Sequence, residues 1–129
     1  MTLQKRKTFK DYLIAFGPPI AWASFIFVLS SQETLRGFDI STTDFLFKKC
    51  AHMFVYAVLY FLFYVGLSKI QSKKNQQKVW LQAFIICLLY AISDELHQST
   101  ISGRHPTVRD VGYDMLGTSL VFLRKFRYI

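Results

Sequence analysis

Four polar residues fall within one five-residue stretch, Asp94-Glu95-Leu96-His97-Gln98. Gly103-Arg104, Arg109-Asp110 and Asp114 follow within the next sixteen positions. A carboxylate beside an imidazole can move a proton as general acid or base. An arginine beside a glycine can hold a phosphate or carboxylate through two parallel hydrogen bonds. A second polar group, Lys49, His52 and Tyr56, lies farther upstream. Asp94 or Glu95 is therefore the candidate proton-transfer group, with His52 as its partner. Lys49, Tyr56, His97, Gln98, Arg104, Asp110 and Asp114 are candidates for holding a substrate. A metal held by Asp94, His97, His52 and Asp110 is a weaker alternative, because their spacing matches no standard ligand motif. No metal is assigned. No nucleotide or coenzyme A motif occurs, and no cofactor is expected.

Each residue also has a plainer reading. Thr107-x-x-Asp110 follows the capping-box pattern, which places an acid at the third helical position. Asp94 sits near a helix C-terminus, where the dipole disfavours it, so it needs a compensating cation or a proton. Glu95 can be a solvated interfacial acid. Lys49 can extend its ammonium to the membrane surface. His52 can be a hydrogen-bonded core histidine, and His97 and His105 interfacial or loop residues. Arg104 can form a salt bridge to Asp94 or Asp110. The tyrosines at 56, 60 and 64 share one helix face and suit packing. Ser30, Ser31 and Gln32 read as an end cap and the start of a loop.

These residues lie between long apolar blocks. Of the 129 residues, 52% are hydrophobic and 17% aromatic, with the charges gathered between the blocks. Residues 13–30, 50–67, 79–93 and 108–123 read as four membrane spans of an all-α integral membrane protein. The third helix is expected to continue through Gln98. Pro18 and Pro19 predict a kink or a delayed start in the first span. That block is long for a signal peptide and lacks an obvious small-x-small cleavage site. Trp80 fits an interfacial aromatic belt. Residues 33–44 and 99–106 are expected loops, with 45–47 in the interface. Cys50 and Cys87 lie in apolar blocks and read as buried reduced thiols. One membrane domain, 1–129, is expected, with no internal repeat.

Charge sets the topology. Eleven of the sixteen lysines and arginines lie before the first span, between the second and third, and after the fourth. Seven of the eight acids lie on the opposite side. The positive-inside rule then places both termini in the cytoplasm and the polar clusters on the opposite, outward side, which in a bacterium is the extracytoplasmic face. The net charge of +8 flanks hydrophobic blocks, so it does not indicate nucleic acid. Lys49, His52 and Tyr56 share a face of the second helix, Asp94, His97 and Gln98 one of the third, and Asp110, Asp114 and Gly117 one of the fourth. The simplest packing turns all three stripes inward. Asp114 lies about 15 Å along its helix from Arg124, inside a hydrocarbon core about 30 Å thick. Gly117, with Ser119 nearby, predicts close helix contact.

The chain resembles the VanZ-like family of small bacterial membrane proteins. The resemblance runs from Phe27 to Gly117 and rests on Leu29-Ser30-Ser31-Gln32, Lys49-x-x-His52-x-x-x-Tyr56, Asp94-Glu95-Leu96-His97-Gln98 ahead of Gly103-Arg104, and Thr107-x-x-Asp110 with Gly117. The family usually carries Asn where this chain has Asp114. Its namesake is associated with resistance to the glycopeptide antibiotic teicoplanin. The resemblance implies a cell-envelope role, with membrane lipids and a lipid-linked envelope substrate or lipoglycopeptide as partners; oligomers are open. Three readings of the site remain: an enzyme at the outer face, a non-catalytic binder of lipid head groups or envelope partners, and a small transporter. The last is disfavoured, because the polar residues gather on one side and do not line a path across.

Overall fold

A computed structural model describes residues 6–32, 42–72, 75–102, 106–125 and 127, without the side chains of Asp44, Gln76 and Gln77. Four helices follow in order: α1 (Phe9–Ser30), α2 (Thr42–Ile70), α3 (Gln76–Gln98) and α4 (Val108–Lys125). No strand occurs among the described residues. The helices alternate in direction, so the end of α1, the start of α2, the end of α3 and the start of α4 share one end of the bundle. The expected polar stripes lie at that end.

α1 begins where Thr8 and Asp11 reciprocate. The Asp11 carboxylate accepts the Thr8 backbone N–H at 2.7 Å and its hydroxyl at 2.9 Å. This cap fixes the start at Phe9, upstream of Pro18 and Pro19, and both prolines lie inside the helix. The expectation of a delayed start is therefore corrected. α2 also starts earlier than its apolar block, at Thr42, with Lys48 and Lys49 inside it. No glycine or proline interrupts the chain between Thr42 and Gly66, so the helix runs past the hydrophobic boundary. Residues 42–44 of the expected loop are helical.

α2 is the hub of the bundle and packs most extensively against α4 and α1. Two glycines set its closest approaches. A Cβ on Gly66 would overlap the Ala15 carbonyl, and one on Gly117 would overlap the Met53 carbonyl. Indole and phenol groups tie further backbone carbonyls across helices: Trp22 Nε1 donates to Val55 at 2.9 Å, and Tyr90 Oη to Ala23 at 2.5 Å. Tyr56, Leu59, Tyr60, Cys87 and Ala91 fill the core between them. Tyr64 stacks on Tyr60, with ring centroids 6.4 Å apart.

Leu13, Ile20, Phe54, Phe61, Leu89 and Ile92 point away from the bundle. A helix apolar on both its inner and outer faces suits a membrane. α1, residues 45–70 of α2 and residues 78–98 of α3 are long and apolar enough to cross one. α4 is not among them, because its 18 residues include Arg109, Asp110, Asp114, Arg124 and Lys125. Trp80 is half-buried, with its ring 4.7 Å from that of Phe122. Both cysteines are free, but only Cys87 is buried. Cys50 is exposed, because it follows Lys49 by one position and is rotated about 100° off the inward stripe.

Candidate functional site

Asp94 is the centre of the polar end. It sits in the last turn-and-a-half of α3 and is 4% exposed. Its Oδ2 accepts from Ser30 Oγ of α1 at 2.8 Å, Gln98 Nε2 of α3 at 3.0 Å and Tyr56 Oη of α2 at 3.5 Å. Three helices thus meet on one carboxylate oxygen. No cation bonds to it among the described residues; neutral donors satisfy this oxygen. Among the described residues Oδ1 has no hydrogen-bond partner. Ser30→Ala removes one donor and leaves the others, and is expected to cost about 1 kcal/mol. Chemical unfolding of the purified protein measures this, and an unchanged midpoint would show that the Ser30 bond contributes nothing.

Two acid–base pairs join α2 to α4. Lys49 Nζ pairs with Asp110 Oδ1. The ammonium also lies 5.0 Å from the Tyr113 ring centre and 5.4 Å from that of Phe45, within cation–π range. Asp110 Oδ2 accepts from Thr107 Oγ1 at 3.0 Å, so this side-chain bond and the ion pair use different oxygens. One turn deeper, His52 Nδ1 meets Asp114 Oδ1 at 2.9 Å. Asp114 is 0% exposed, and among the described residues its Oδ2 has no hydrogen-bond partner.

Glu95 is not the solvated interfacial acid of the plainer reading. It is 8% exposed, and among the described residues neither carboxyl oxygen has a hydrogen-bond partner. Asp94, Asp110, Asp114 and His52 all lie within its electrostatic reach. Burying a carboxyl group without a partner is costly.

His97 turns elsewhere. Its Nε2 is 3.0 Å from Ser31 Oγ, and its ring stacks on Phe27 with centroids 4.4 Å apart. It clamps the end of α3 to the end of α1. Asp94 and Gln98 share the expected face and bond to each other, while His97 lies at its margin. Ser30 was legible only as a cap, because the acid it serves is 64 residues away. Arg104, with Gly103 and His105, lies outside the described residues. Among the described residues no group of three His, Cys, Asp or Glu side chains is placed to hold a metal ion. The set Asp94, His97, His52 and Asp110 is split among separate partners.

The helices define a bundle with three elements long and apolar enough to cross a membrane and a buried, acid-rich polar end. The chain belongs to the VanZ/LLP1 family, whose model matches residues 4–124. No curated protein and no solved structure matches the chain.

Proposed function

We propose that the chain is a single four-span domain of the bacterial cytoplasmic membrane, with both termini in the cytoplasm. Its polar end faces outward and serves cell-envelope chemistry connected with glycopeptide (teicoplanin) resistance. The charge asymmetry along the chain supports this orientation. α4 is about 27 Å long, close to the thickness of the hydrocarbon core. Its two acids are turned toward Lys49 and His52, which offsets their cost in a membrane.

Asp94 or Glu95 transfers a proton, and His52, held on Asp114, is the partner imidazole brought to the same end of the bundle. Tyr56, Gln98 and Asp114 orient the groups around them. Lys49, Asp110, His97 and Arg104 frame the site that receives a lipid-linked envelope substrate or a lipoglycopeptide. The observation carrying this reading is the asymmetry of Asp94. Donors from three helices fix one oxygen, while the other oxygen and the neighbouring Glu95 carboxyl have no hydrogen-bond partner among the described residues. A held carboxyl group with an unoccupied oxygen is arranged to exchange a proton with a bound molecule.

The test expresses the wild type, Asp94→Asn and Arg104→Ala at matched membrane levels in a teicoplanin-susceptible Gram-positive host. Teicoplanin and vancomycin susceptibility are recorded, with binding of labelled antibiotic to the cell surface. The wild type is expected to protect against teicoplanin selectively, and both variants to lose protection. Asp94→Asn keeps the shape of the site and removes proton transfer, so retained protection would turn the reading to a non-catalytic binder. A wild type that changes nothing would end the resistance assignment.

A further inference from the structure

The end of the bundle opposite Asp94 is strongly basic. Arg6, Lys7 and Lys10 flank the start of α1, Lys69 lies in the last turn of α2 and Lys78 in the first turn of α3. Arg124, Lys125 and Arg127 close α4. All eight are exposed. Asp11 is the one acid at this end, since the other seven acids of the sequence fall within residues 33–44 and 94–114. Its carboxylate accepts from the Thr8 backbone and hydroxyl. Among the described residues none of the eight cations is ion-paired with an acid; the Lys49–Asp110 and His52–Asp114 pairs lie at the other end.

Helix dipoles account for only part of this charge. A cation suits a helix C-terminus, which fits Lys69, Arg124 and Lys125. Arg6, Lys7, Lys10 and Lys78 stand at helix starts, where the dipole opposes a cation, and the first turn of α3 holds no acid. Lys7 Nζ donates to the Lys69 carbonyl at 2.9 Å, and Lys125 Nζ lies 5.6 Å from the Tyr64 ring centre. These contacts place both ammonium groups without neutralising them. Lys10, Lys69 and Lys78 each fall within two residues of the end of a helix length apolar enough to cross a membrane. That boundary is where lipid phosphates lie. We propose that this basic end binds anionic phospholipid head groups in the leaflet it meets. Each cation near such a leaflet adds attraction, and the head groups relieve the repulsion among like charges on four helix ends. A soluble polyanion would have to reach the same depth, where lipid phosphate already stands. The proposal goes beyond the envelope role and does not depend on it.

The experiment reconstitutes the purified full chain in vesicles of phosphatidylglycerol and phosphatidylcholine in equal parts. Spin-labelled forms of the two lipids report how strongly each associates with the protein. The wild type is expected to prefer phosphatidylglycerol by about fivefold or more, the effect of roughly one cation at an anionic surface. The preference is expected to fall toward unity at about 1 M salt, where the Debye length is about 3 Å. Lys10→Gln with Lys78→Gln is expected to lower it at least about twofold, and Lys10→Arg with Lys78→Arg to keep it. Lys48→Gln with Arg109→Gln takes the same charge from the opposite end and is expected to leave it unchanged. Helical circular dichroism checks that each variant is folded, and the salt response of the wild type tests the proposal without any variant. Equal association of the two lipids with the wild type would overturn it, as would a preference that survives high salt. So would a Lys10→Gln, Lys78→Gln variant with the full preference. An equal loss from Lys48→Gln with Arg109→Gln would also overturn it, by assigning the effect to net charge alone.

Discussion

A methyl group added at Gly117 is expected to destabilise the bundle by about 1–3 kcal/mol, the usual range for overpacking. The new Cβ would fall on the Met53 carbonyl, and that atom belongs to the backbone of α2. A side chain could rotate away; a helix must move. α2 and α4 also carry the Lys49–Asp110 and His52–Asp114 pairs, so separating them loosens both. Gly112 provides the control within the same helix, because a Cβ there meets nothing within 4 Å. Gly112→Ala is expected to be neutral or to gain up to about 1 kcal/mol from helix propensity. Unfolding of both variants in the same lipid or detergent decides the matter. Equal effects at the two positions would refute the close-approach account.

His52→Ala is expected to cost about 3 kcal/mol or more, because it leaves a buried carboxyl group without its partner. Asp114 is the most enclosed acid of the site, and His52 supplies its side-chain hydrogen bond. Adding Asp114→Asn to His52→Ala is expected to recover much of the loss, since a neutral amide is cheaper to bury than an unpaired charge. Asn is also the residue that the family usually carries there. A double-mutant cycle on purified protein measures the coupling. Additive losses, or a His52→Ala variant within about 0.5 kcal/mol of the wild type, would show that the two groups do not depend on each other.

Much of the polar end was legible because helical spacing is local information. Lys49, His52 and Tyr56 recur on one face of α2, and Asp110, Asp114 and Gly117 on one face of α4. The structure turns these faces together, with Lys49 on Asp110, His52 on Asp114 and Gly117 against Met53. Long-range pairing was less legible. Nothing near Ser30 in the sequence marks Asp94 as its acceptor, and nothing near His97 marks Ser31 and Phe27 as its neighbours. Periodicity specifies a face but not what that face meets. The early start of α2 was hidden for a different reason. Hydropathy reports where a helix enters an apolar environment, whereas backbone geometry decides where it begins. Residues 42–49 are helical although their charges and hydroxyls resemble a loop. α4 shows the converse limit. Its ion-paired face lowers its apolar character, so composition alone cannot distinguish a buried polar stripe from an unsuitable span.

The proline pair in α1 bears on how the bundle comes together. Pro18 and Pro19 have no N–H for the carbonyls of Ile14 and Ala15, one turn earlier. The Ala15 carbonyl faces Gly66, where the missing side chain lets the α2 backbone come close. Trp22 of α1 and Lys7, just ahead of it, donate to α2 carbonyls, those of Val55 and Lys69. A solitary α1 in hydrocarbon would hold carbonyls with no helical donor and no water to replace it. The bonds from Trp22 and Lys7 satisfy carbonyls of α2 and leave this cost in place. Hydropathy therefore overstates how readily α1 would enter lipid by itself, because two carbonyls without helical donors are a cost that side-chain composition does not register.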